Sequence, residues 1–203
     1  MIIRKALSYF FSLAIFLSPH VGARAENVSE EFIVLRIHQA GGDITVEAPR
    51  AFIAEMSKEP TGVTVPIGYF KGSPVRMSAD RLIRILRDLP GGGKESLLFT
   101  RQTDQGPMAF FARAVSRSLP RRGHPCFLIE FHLSRRGASP TDVSLPLLGT
   151  ATLGKTLLSA AGIQTDSDIG PLLDRGVECA ERLGSGPILK ASASDATATV
   201  AVR

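Results

Sequence analysis

The chain has 203 residues, 44% of them apolar, with 24 Lys and Arg against 19 Asp and Glu, two cysteines and no tryptophan. That much apolar chain can bury a substantial core, which excludes a disordered or fibrous protein. Setting aside Arg4, Lys5 and Arg24 leaves 21 bases against 19 acids, a balance that gives no argument for a nucleic-acid partner.

Residues 1–25 read as a signal peptide. Arg4 and Lys5 form a positive n-region, Ala6 to Leu17 is apolar and uncharged, Pro19 breaks the helix, and Ala23-Arg24-Ala25 supplies a cleavage site before Glu26. The apolar run falls short of the ~20 residues needed to cross a bilayer, and no second hydrophobic span follows. The expectation is a periplasmic or secreted protein without a transmembrane helix once the signal is removed.

Residues 32–38, "FIVLRIH", alternate and are rich in β-formers, which predicts a strand. Gly41, Gly42 or Asp43 turns the chain into a second strand over 44–48 that ends at Pro49. A short helix is predicted from Arg50 to Met56. The segment 59–77 is punctuated by proline and glycine and reads as a loop or short edge hairpin. Its adjacent aromatics, Tyr69 and Phe70, are expected to fold back onto the core, with a binding tip as the alternative. Ser78 is placed to N-cap a helix over 78–89, with Asp80 as a first-turn carboxylate. Residues 96–102 and 107–115 predict a hairpin around Asp104-Gln105-Gly106.

The same order recurs downstream. "IVLRIHQ" at 33–39 matches "FLIEFHL" at 127–133, "VEAP" at 46–49 matches "VSLP" at 143–146, and "DRLIRILRDL" at 80–89 matches "DRGVECAERL" at 174–183. "TDQG" at 103–106 and "SDAT" at 194–197 supply the final turns, and "GKTLLSAAGIQTDSD" adds an apolar helix in the second copy. The organisation read from this is a signal peptide (1–25), a first unit (26–115) carrying the 59–77 insertion, a basic linker (116–125) and a second unit (126–203). The fold class expected is α+β, with two tandem ββααββ repeats. A mostly antiparallel sheet would carry helices on one face, with the halves related by a pseudo-two-fold axis.

Few residues suggest chemistry. "DLPGGGKESLLF" at 88–99 lacks the first glycine and the Ser/Thr of a phosphate-binding loop, and follows a helix instead of preceding one. Its glycines, like those of "ERLGSGPIL" at 181–189, read as helix stops. His38 and His132 occupy equivalent strand positions, and a two-fold axis would let their rings approach as a weak metal or pH-sensitive pair; half-exposed strand histidines are the plainer account. His124 and Cys126 flank a proline and suggest at most a thiol–imidazole contact. Asp174, like Asp80, reads as a first-turn carboxylate. Cys126 and Cys179 are a disulfide candidate in an oxidising compartment, with two separate buried thiols equally consistent. The arginines from Arg113 to Arg136, including Arg117, Arg121 and Arg122, suggest either a solvated linker or a surface for an anionic envelope polymer.

The repeat unit resembles a small SHOCT-like domain of bacterial envelope-associated regulators. The likeness lies in the paired strand ending in proline ("ITVEAP", "DVSLP"), the apolar helix, the acid-led helix and the closing hairpin with its aspartate turn. The resemblance implies no catalytic residue and no cofactor. The function expected is a non-catalytic interaction or regulatory module that binds another envelope protein or an anionic polymer. A small hydrolase-like periplasmic enzyme and a carrier of a small ligand between the repeats are the alternatives.

Overall fold

In a computed structural model, residues 27–147, 150 and 170–203 are described; the expected signal peptide, and the apolar helix expected over 154–168, lie outside them. Eight strands form one antiparallel sheet: β1 (Asn27–Gln39), β2 (Gly42–Pro49), β5 (Ser96–Thr103), β6 (Gly106–Pro120), β7 (Leu128–Arg135), β8 (Thr141–Pro146), β9 (Gly186–Ser192) and β10 (Ala196–Val202). A separate hairpin pairs β3 (Thr64–Phe70) with β4 (Ser73–Ser78). The described helices are α1 (Arg50–Met56), α2 (Ala79–Arg87) and α3 (Gly170–Leu183). The mixed α and β content and the antiparallel sheet agree with the class read from sequence.

The sheet order is β5-β6-β1-β2-β9-β10-β7-β8. The halves meet where β2 pairs with β9, at Thr45↔Ser192, Val46↔Ala191 and Glu47↔Lys190. A two-fold axis between them would bring like strands together. The junction joins the second strand of one half to the third strand of the other, so the order is head-to-tail. This also separates the histidines. His38 on β1 and His132 on β7 have β2, β9 and β10 between them, four inter-strand spacings or about 19 Å.

Alternation along the strands divides the faces. Ile33 and Leu35 of β1, Ala48 of β2, and Met108, Phe110, Ala112 and Ala114 of β6 pack with Ile53 of α1 and Leu86 of α2. Ile129, Ile188 and Val202 make a second cluster with Ala180 of α3. Phe52 of α1 touches both clusters and couples the two cores. The β3–β4 hairpin leans on the first cluster through Ile67 and Met77.

The expected boundaries shift where pairing extends a strand beyond its apolar signal. The polar run Asn27–Glu31 pairs with Ser116–Pro120, so half of the expected linker is strand. What remains between β6 and β7 is held by Arg122. Its guanidinium grips Glu30 of β1 at 3.1 Å through both Nε and Nη2, and donates to the carbonyl of Pro187 at 2.9 Å and, more weakly, to those of Gly184 and Ser185. The bonds to Glu30 are bidentate and the pair is mostly buried, at 14% exposure for each side chain.

The two helix stops differ. Gly184 has φ +89° and its N–H bonds to the carbonyl of Ala180, a left-handed cap at the end of α3. A Cβ there would also lie 2.8 Å from the Gly123 carbonyl and the His124 ring. The glycines at 91–93 lie beyond the end of α2, because Arg50 reaches across to take the Arg87 and Leu89 carbonyls at 2.8 and 2.7 Å while pairing with Glu31. They release the chain into β5. Removing one partner of a buried, hydrogen-bonded charge pair leaves the other uncompensated. Arg122→Leu should therefore lower unfolding free energy by about 3 kcal/mol, and Arg122→Lys should recover only part of it. Urea denaturation of the three proteins checks this.

Candidate functional site

The strongest candidate is the tip of the β3–β4 hairpin. Tyr69↔Pro74 and Phe70↔Ser73 close the ladder around Lys71-Gly72, whose φ values of +52° and +75° are those of a type I′ turn. The tip is fixed by the neighbouring β5–β6 turn. The Asp104 carboxylate accepts from the N–H of Lys71 at 2.6 Å and of Gly72 at 3.5 Å, and the Asp104 N–H donates to the Tyr69 carbonyl at 2.7 Å. The aromatics do not fold back onto the core. Tyr69 is 60% and Phe70 39% exposed, and the Lys71 ammonium lies 5.5 Å from the Phe70 ring centre. A turn backbone hydrogen-bonded to Asp104 thus presents two large aromatic side chains to solvent. Sequence could have pointed to Asp104, since an aspartate in a hairpin turn is suited to accept from backbone N–H groups.

The histidines each form a local pair instead of meeting. His38 Nδ1 lies 2.6 Å from Asp43 directly across the β1–β2 ladder, and His132 Nδ1 contacts Asp142 directly across the β7–β8 ladder. The hydrogen bonds from His38 and Arg36 hold the exposed Asp43 carboxyl below the usual range, and Arg36 also grips Glu95. These registers align Asp43 with Asp142, two residues away from the match of "VEAP" with "VSLP".

Two adjoining clefts of about 280 Å³ each lie at the helix ends, one lined by Glu59, Thr61, Asp174, Arg175 and Glu178, the other by Glu59, Ser78, Asp80, Ile83 and Arg84. Neither is lined by a histidine. Arg175 is 5% exposed and holds α3 to the end of α1, donating to the Glu55 carbonyl at 3.0 Å and pairing with Glu178 and Glu59 at 3.2 and 3.3 Å. It stands one helical turn before the buried Cys179, where a charged residue in an apolar stripe is a sequence flag. Asp80 does more than face a helix N-terminus. Burial would raise its pKa, but the Thr61 N–H and hydroxyl and the Gly62 N–H, all within 2.9 Å, outweigh it and hold the carboxyl low.

The basic segment is not one patch. Arg117 pairs with Glu47 and Arg122 with Glu30, while Arg121 is exposed. Cys126 and Cys179 are free thiols. Cys126 Sγ donates to the Gly123 carbonyl at 3.2 Å and not to His124, and burial raises the pKa of both thiols. Among the described residues, no helix is long and apolar enough to cross a membrane. Comparison with protein-family models, curated protein sequences and solved structures gave no match to this chain.

Two outcomes follow from these groups. Asp80 has a folded pKa below its unfolded value near 3.9, so its contribution is complete above that value and fades as pH falls through the folded one. Asp80→Asn should cost about 1–2 kcal/mol at pH 7 and show a shallower loss of stability below about pH 4 than the parent, measured by denaturation across pH. Thiol titration of the unreduced, denatured protein should find both cysteines, and Cys179 should react only after unfolding.

Proposed function

We propose that the chain is an exported, non-catalytic interaction module built from two copies of one unit, and that its hairpin tip docks on another envelope protein. The observation that carries the interaction reading is the exposure of Tyr69 and Phe70 on a backbone clamped by Asp104. Aromatic anchors that are rigid before binding lose little conformational entropy on docking, and they dominate the energy of protein interfaces. An anionic polymer is the weaker partner, since Arg117 and Arg122 are already neutralised by Glu47 and Glu30.

Duplication is supported by features that recur at matching places. In each half the strands run third, fourth, first, second across the sheet. Each half carries a cross-strand His–Asp pair, and the third–fourth strand ladder shifts register between Leu97 and Phe99 and again between Pro187 and Leu189. The SHOCT-like resemblance, which implies no catalytic residues, agrees with this reading.

The test is photo-crosslinking in the producing cell with a probe amino acid at position 69. A discrete heteromeric adduct is expected there and not from a probe at the exposed Lys94. Asp104→Ala should abolish the adduct with the sheet intact by circular dichroism. Equal labelling at both positions, or none at position 69, would refute the docking role.

A further inference from the structure

The internal junction specifies an intermolecular one. This inference rests on the duplication proposed above and not on the hairpin tip. His38 corresponds to His132, and Asp43, opposite His38, to Asp142. On that register β2 residues map onto β8 with Thr45, Val46 and Glu47 at the places of Ser144, Leu145 and Pro146. The shared bulge sets Leu98 against Ile188, so Ser192, Ala191 and Lys190 of β9 correspond to Gln102, Arg101 and Thr100 of β5. The two edges of the sheet are therefore β8, in the place of β2, and β5, in the place of β9. Inside the chain those two strand types already bind each other.

We propose that β8 of one molecule pairs antiparallel with β5 of a second copy, at Ser144↔Gln102, Leu145↔Arg101 and Pro146↔Thr100, extending the sheet head-to-tail. The hydrogen-bonding directions agree. Leu147 N–H bonds to the Phe127 carbonyl, so alternate residues Leu145 and Val143 face β7, and Ser144 presents its N–H and carbonyl outward. In the second half the hairpin-closing Ala193 bonds to Ala196, which turns Ser192 toward β2; its counterpart Gln102 turns outward in the same way. Side chains at the new rung, Ser144 and Gln102, are small or flexible and polar, as Thr45 and Ser192 are inside. The edges also limit the contact. Pro146 lacks the N–H that Glu47 offers, so the rung Pro146↔Thr100 has one donor fewer than Glu47↔Lys190 has inside the chain. The association is therefore weaker than the internal junction, reversible and concentration-dependent. Because the two surfaces differ, it is open-ended.

Sedimentation velocity across a concentration series of the chain, purified as the cell produces it, tests this together with Ser144→Pro and Gln102→Pro. Each proline removes an outward N–H from one edge and leaves the inward ladder intact. The parent should grow through dimers to longer species. Each variant alone should stay monomeric, and a 1:1 mixture should form a heterodimer and stop. A parent that remains monomeric to about 1 mM would overturn the proposal, as would either variant dimerising alone, since that requires like edges to pair. If a proline variant does not fold, Ser144→Cys mixed with Gln102→Cys replaces it. Mild oxidation should then give the mixed disulfide dimer in preference to either homodimer, and an excess of homodimers would refute the register.

Discussion

The architecture depends on a junction only three residue pairs long. Thr45, Val46 and Glu47 against Ser192, Ala191 and Lys190 are what make two four-stranded halves a single sheet. So short a ladder is a weak hinge by itself, and the fold reinforces it on the helix side and at the linker. Phe52 packs into both cores, Arg175 joins α3 to the Glu55 carbonyl of α1, and Arg122 joins β1 to the loop after α3 and to the start of β9. Two of these three reinforcements are arginines whose fixed fork of donors satisfies a carboxylate and at least one backbone carbonyl together. A lysine would meet those acceptors with a single ammonium.

Much of the local structure was legible in the sequence because it obeys short-range rules. Ser78 caps α2 by accepting from the Arg81 N–H at 3.3 Å, the alternation of 32–38 gave β1, and a helix at Arg50–Met56 followed Pro49 as expected. What escaped depends on partners distant in sequence. Asn27–Glu31 carries no strand signal of its own and is a strand because β6 runs past it. Glycine at 91–93 looked like a helix cap, yet Arg50, far upstream, performs that task. The order β2 next to β9 cannot be read from periodicity at all, since either a two-fold or a head-to-tail arrangement buries the same alternating residues.

The candidate site was legible in composition but not in posture. Tyr69 and Phe70 were visible as an aromatic pair between glycines, and burial was the expected fate of such residues. The type I′ turn at Lys71-Gly72 and the clamp by Asp104 hold them outward. That clamp lies 33 residues away in sequence, so no local pattern announces it. The His–Asp pairs show the converse: an eye-catching correspondence in sequence resolves into two separate cross-strand contacts on exposed rungs.

The face of the sheet turned away from the described helices shows where part of the basic segment is used. Phe32 and Val34 point away from the helices yet are 5% and 7% exposed. The Arg117 guanidinium lies 5.6 Å from the Phe32 ring centre, and that of Arg36 lies 4.7 Å from Phe111. An arginine laid over an aromatic ring removes apolar surface from water while its charged head stays solvated or paired, as Arg117 is with Glu47 and Arg36 with Asp43 and Glu95. In this way arginines cover apolar residues on the face turned away from α1, α2 and α3. Part of the charge that suggested a polyanion surface instead covers the back of the sheet, and the tip of the β3–β4 hairpin is left as an adjacent pair of exposed aromatics.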